Sequence, residues 1–130
     1  MTRRIATLSL AFAFALVTGA AGPAAACGMY EEPSIETAMD RIASARDLLE
    51  KGELREAAAF ARSVARDRRA DKKVRAEAYS LAGVIRWKQG NEASAKANFK
   101  KALALDPSQY EMVVAKQADA VEIRAIVEKV

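Results

Sequence analysis

Two glycines, Gly52 and Gly90, lie 38 residues apart, and each separates stretches whose apolar residues recur at helical spacing. Each follows a basic or amide residue, in "EKG" and "KQG", and each opens onto a polar segment containing Glu and then small residues. A glycine at such a place tolerates the positive φ that closes a last helical turn, so both positions predict a chain reversal between helices. Superimposing the two glycines brings Ala57 over Ala95, Ala61 over Phe99 and Val64 over Ala102. The spacing predicts one helix-turn-helix unit used twice.

Periodicity places five helices. Ile35, Met39, Ile42, Ala45 and Leu49, widened by Ala38 and Leu48, form the first stripe, with Ser34 as the expected N-cap and Asp47–Lys51 as an i,i+4 pair. A second helix, from about Glu53 to about Arg68, presents Leu54, Ala57, Ala58, Ala61, Val64 and Ala65. That face is mostly alanine, so a partner helix can approach closely while each residue buries little area. Asp71 is expected to cap a third helix running to about Gln89, with Val74, Ala78, Leu81, Ala82 and Ile85 inward. Asn91 caps a fourth, in which Glu92 and Lys96 pair across one turn, and Pro107 ends it. Ser108 and Glu111 read as a capping box opening one continuous fifth helix through Tyr110, Val113, Val114, Ala118, Val121 and Ala125. No window alternates with period two, and no Gly-rich phosphate loop is present. The expected class is all-α.

Ahead of these helices, Arg3 and Arg4 precede a mostly apolar run from Ile5 to Val17, a Gly/Pro break and Ala24-Ala25-Ala26. This is the layout of a secretory signal over residues 1–26. The apolar run is too short for a membrane anchor, which needs ~20 residues. Residues 27–34 form a polar leader, and 35–130 the helical domain, placed in the periplasm or outside the cell. Cys27 is the only cysteine, so no internal disulfide is available. Its place at the cleavage point fits lipidation, with Ala26 and Gly28 around it. It also fits ordinary cleavage after the alanines, because Pro23-Ala24-Ala25 lacks the bulky apolar residue of a lipoprotein motif.

Histidine is absent, which excludes His-based acid–base catalysis, Ser-His-Asp and Cys-His nucleophiles, and the commonest metal ligand. Carboxylate pairs such as Glu31-Glu32 lie on the leader or on polar helix faces. The chain is therefore expected not to be an enzyme and to need no cofactor or metal. Nucleic acid is a poor partner for an exported chain whose 17 acidic residues interleave with its basic ones.

Residues 76–107, "AEAYSLAGVIRWKQGNEASAKANFKKALALDP", resemble a tetratricopeptide repeat. Tyr79 stands where Trp is usual, and Gly83, Ala95, Phe99 and Pro107 occupy their expected places. Ala82 in place of Leu and Arg86 in place of Tyr depart from the pattern. Gly83 and Ala95 would let the two helices of a unit approach, with Phe99 and Tyr79 filling the space above and below. Residues 38 to about 71 look like a degenerate earlier copy, with Ala61 for Phe, Arg69 for Pro and a longer linker. The resemblance implies antiparallel helix-turn-helix repeats, two such units plus a C-terminal capping helix, as a right-handed solenoid fragment. About two and a half units fall below the ~3 such arrays need, so a homodimer or a partner is expected.

The resemblance also implies a concave groove lined by the first helix of each unit, for a protein or peptide partner. The groove residues would be Met39, Ile42, Arg46, Leu49 and Glu50 from one unit and Glu77, Ser80, Val84, Trp87 and Lys88 from the next. Trp87 reads as a ligand anchor or as inter-repeat packing. The Lys/Asn grip on a C-terminal carboxylate is not recognisable, since Glu77 and Val84 stand in its place. "RSVARDRRADKKVR", residues 62–75, carries seven basic side chains and reads as a patch for an anionic partner or as a solvated turn. Two functions follow as expectations. One is an exported scaffold or adapter binding a peptide or protein. The other is a structural subunit of an envelope assembly, tethered to the membrane through lipidated Cys27.

Overall fold

The computed structural model describes residues 37–129. The expected signal, the polar leader with Cys27, and Ser34 and Ile35 lie outside the described residues. Those residues form six helices and no strand: α1 (Ala38–Glu50), α2 (Leu54–Arg66), α3 (Lys72–Lys88), α4 (Glu92–Leu105), α5 (Pro107–Val114) and α6 (Ala120–Glu128). None is long and apolar enough to cross a membrane.

Helix α1 begins later than its apolar stripe predicts. The Thr37 hydroxyl accepts from the Asp40 amide at 3.2 Å, and the Asp40 carboxylate accepts from the Thr37 amide at 3.0 Å. This reciprocal box satisfies two of the orphan donors at a helix start, so Thr37 rather than Ser34 is the cap. Asp71 and Asn91 cap α3 and α4 as their side chains allow, accepting from Lys73 and Ser94 amides. The expected Asp47–Lys51 and Glu92–Lys96 pairs do not form among the described ion pairs. The Lys96 ammonium donates instead to the Lys129 carbonyl.

The two glycine turns are the same structure. Gly52 has φ 78° and Gly90 φ 77°. At the first, the Gly52 amide donates to the Leu49 carbonyl at 3.1 Å and the Glu53 amide to the Leu48 carbonyl at 2.8 Å. At the second, the Gly90 and Asn91 amides donate to the Trp87 and Arg86 carbonyls, both at 2.9 Å. Both are Schellman motifs, which end a helix and turn the chain at once. The helices on either side run antiparallel. Arg41 near the start of α1 reaches Ser63 and Asp67 at the end of α2, and Tyr79 in α3 meets Lys101 in α4.

Close approach in the second hairpin depends on Gly83. A Cβ there would lie 2.4 Å from Cε1 of Phe99, whose ring is fully buried and packs edge-on against Tyr110 at 5.5 Å. The corresponding crossing in the first hairpin is made by Ala45, Ala57 and Ala61, all fully buried.

The single fifth helix expected from the sequence is two helices. Asp106, not Ser108, caps α5: its carboxylate accepts from the Ser108 amide at 2.9 Å and hydroxyl at 2.6 Å, while Pro107 takes the first helical position that needs no N–H. Glu111, freed from capping, pairs with Arg124 at 2.9 Å. The break at residues 115–119 has a packing cause. On one continuous helix Ile123 would sit about 180° from Val114, at ~100° per residue. Breaking the helix lets Tyr110, Val113 and Val114 pack inward on one segment and Ile123 and Ile126 on the next. Ala118, Val121 and Ala125, expected inside, are exposed, Val121 by 75%.

Candidate functional site: a cavity lined by α1, α3 and α5

One cavity of about 280 Å³ draws its walls from α1, α3 and α5. Helix α1 supplies Arg46, Leu49 and Glu50; α3 supplies Glu77, Leu81 and Lys88; α5 and the turn after it supply Met112, Val113, Lys116 and Gln117. These spacings place each set on one face of its helix, because residues three, four and seven apart share a side. Leu81 and Val113 are buried and Leu49 half-buried, while Arg46, Glu50, Lys88, Met112 and Lys116 are exposed. Apolar surface therefore lies deep and charge lies at the mouth.

Arg46 and Glu77 form the cavity's fixed polar element. Glu77 is 6% exposed, a burial that a carboxylate sustains only with a partner. Arg46 Nε donates to its Oε1 at 2.6 Å, and Arg46 Nη2 lies 2.5 Å from the same oxygen. This forked contact ties α1 to α3 and holds a guanidinium at the cavity wall. Lys88 and Lys116 enter no ion pair among the described residues.

Of the groove residues named from the sequence, the fold gathers Arg46, Leu49, Glu50, Glu77 and Lys88 at this cavity. It does not bring the others there. Ser80 and Val84 are fully buried, and the Ser80 hydroxyl donates to the Ala76 carbonyl of its own helix at 2.9 Å. Their register turns them into the core. Ile42 is likewise fully buried, and Met39, 58% exposed, does not line the cavity. Trp87 is half-buried against the core, and its Nε1–H donates to the Asp119 carboxylate at 3.2 Å. It packs on the core and ties α3 to the α5–α6 turn. Met112, Lys116 and Gln117 were missed, because the rotation of α5 against α3 is set by contacts across helices. Their 112/116 spacing was the available signal.

The basic stretch 62–75 spans the end of α2, the turn after it and the start of α3. Arg62 and Arg66 belong to α2, while Lys72, Lys73 and Arg75 belong to α3. Between them Asp67 accepts from the Arg69 amide at 3.0 Å and from Arg41 at 3.1 Å, and these bonds hold its carboxyl below the usual carboxylate range. Among the described residues no group of three Cys, Asp or Glu side chains could hold a metal ion.

No protein-family description matches this chain, and no curated protein or solved structure is measurably similar to it.

Proposed function

We propose that the chain is an exported, tetratricopeptide-like scaffold that binds a peptide or protein segment in the α1/α3/α5 cavity. The observation that carries this reading is the origin of the lining: the first helix of each successive helix pair faces one shared concavity. The identical Schellman turns 38 residues apart support a repeated unit, and α5–α6 adds a third, shorter pair. A third, shorter pair brings the stack towards the ~3 units such arrays use, which supports a partner in the cavity as the reading beside the expected dimer. Export rests on the basic, apolar and small-residue order of residues 1–26.

The cavity's chemistry narrows the segment. Leu49, Leu81, Met112 and Val113 offer an apolar socket, which supplies most of the affinity of such contacts. Lys88 and Lys116 at the mouth favour a carboxylate beside the apolar anchor. A segment carrying Leu, Met or Phe next to Asp or Glu fits both. Selection from an unbiased displayed-peptide library tests this. Enriched peptides are expected to share that pairing and to lose binding to Met112→Glu and Lys88→Glu, while Lys100→Glu on α4 leaves binding intact. Peptides that bind all three variants equally, or no enrichment at all, would overturn it.

A further inference from the structure

A second cavity, of about 220 Å³, lies among α2, α3 and α4 and is walled by cations without carboxylates. Arg62 and Arg66 come from α2, Arg86 from α3 and Lys101 from α4, with Tyr79, Ser94 and Asn98 as the neutral polar lining. Its α3 residues, Tyr79, Ala82 and Arg86, sit roughly 150° around the helix from Glu77, Leu81 and Lys88, at ~100° per residue. It is thus a separate site, independent of the peptide reading.

None of the four cations enters an ion pair among the described residues. Arg62 spends only Nε, on the Ala58 carbonyl at 3.2 Å, and Arg86 only Nη1, on Gln89 at 3.0 Å. The Arg66 side chain makes no hydrogen bond among the described residues. The Lys101 ammonium stands 5.4 Å from the centroid of the Tyr79 ring, a cation–π contact that keeps it at the cavity. Four like charges around one small concavity repel, and fork-shaped guanidinium groups match tetrahedral oxyanions. The chain has 17 acidic residues, yet none of them lines this cavity.

We infer that this cavity is a binding site for a phosphate group of the monoester or diphosphate type. The guanidinium groups of Arg62, Arg66 and Arg86 clamp its oxygens, Lys101 supplies point charge, and Asn98 and Ser94 lie within the same wall as further polar partners. The phosphate can belong to a soluble ester or to a lipid headgroup, and the experiment separates these sources. The full chain, labelled with ¹⁵N, is titrated with inorganic pyrophosphate at physiological salt, and separately with vesicles containing phosphatidic acid. Saturable shifts confined to Tyr79, Arg86, Asn98 and their neighbours under pyrophosphate support a soluble ligand. Binding to the vesicles alone, lost in Arg66→Ala and Arg86→Ala, supports a headgroup. Arg66→Ala and Arg86→Ala should each weaken binding roughly tenfold, the worth of a charge-assisted hydrogen bond, with circular dichroism unchanged. Shifts spread equally over Arg55, Lys72 and Lys100, or affinity indifferent to Arg66→Ala and Arg86→Ala, would overturn the assignment.

Discussion

The two long hairpins share a turn and differ at their crossing. α1–α2 and α3–α4 are closed by Schellman motifs with the same hydrogen bonds and φ values one degree apart. Where their helices cross, the first uses Ala45 on α1 against Ala57 and Ala61 on α2, and the second uses Gly83 on α3 against Ala95 and Phe99 on α4. One solution shares the available space among small side chains, and the other gives nearly all of it to one ring. The backbone reversal is thus a property of the turn alone, while the spacing of helices is met by any set of side chains that fills the gap. The first hairpin buries smaller side chains at its crossing and is tied by the Arg41 bonds to Ser63 and Asp67, where the second has the Tyr79–Lys101 cation–π contact at the matching positions.

The sharpest way to break this comparison is to remove the ring. Phe99→Ala should destabilise the domain by about 3–5 kcal/mol in urea unfolding, as expected for a fully buried aromatic. Ala61→Gly at the matching place should cost only about 1 kcal/mol, the loss from helix propensity. Comparable losses at the two positions would mean the crossings do not differ as described.

Gly83→Ala is next in size. Its Cβ would meet three Phe99 ring atoms within 2.9 Å, and this fully buried ring would have to shift, so a loss of about 1–3 kcal/mol is expected. In the Phe99→Ala background the same substitution should cost much less, because the added methyl enters the vacated space. Additive losses in the double variant would separate Gly83 from the ring.

Gly52→Ala and Gly90→Ala sharpen the other half of the comparison. Nothing lies within 4 Å of a Cβ at either glycine, so only the positive φ is penalised, by about 1–2 kcal/mol. The two losses should agree within about 0.5 kcal/mol. A tolerated change at one turn and a costly one at the other would show that the turns are not equivalent.

The smallest expected effect is an acid limb of stability. Hydrogen bonds from Thr37 lower the Asp40 carboxyl, those from the Arg69 amide and Arg41 lower Asp67, and those from Ser108 lower Asp106. A carboxyl lowered by folding contributes stability that is fully present above its unfolded value, ~3.9 for Asp, and is lost as pH falls through its folded value. Stability should therefore be level near neutrality and decline below about pH 4. Asp67→Asn should flatten that decline and, because the Asp67 carboxylate bonds α1 and the α2–α3 turn and not the α3–α4 pair, leave the α3–α4 amides protected from hydrogen exchange.

Much of this fold is legible in the sequence wherever the cause is local. Gly52 and Gly90, the Asp71 and Asn91 caps, and the inward stripes of α2, α3 and α4 all follow from residue type and a period near 3.6. Errors collect where contacts between helices decide. The stripe of α5 continued on paper through Ala118 and Val121, whereas Ile123 and Ile126 carried the larger burial and forced a break. The cavity is legible by half for the same reason. The resemblance to a tetratricopeptide repeat implied a groove with Arg46, Leu49, Glu77 and Lys88, but not how far each helix rotates, which hides Ser80 and Val84 and admits Met112 and Lys116. Trp87 was ambiguous because its partner, Asp119, lies 32 residues away in a turn the continuous-helix reading did not contain.

The central claim is that the concavity between α1, α3 and α5 holds a partner segment. A ¹⁵N chemical-shift titration of the chain with a peptide carrying an apolar residue beside a carboxylate tests it most directly. The account expects saturable changes at Arg46, Leu49, Leu81, Lys88, Met112 and Gln117, with the α4 surface silent. Saturable changes centred elsewhere on the domain, with those six residues unmoved, would contradict it.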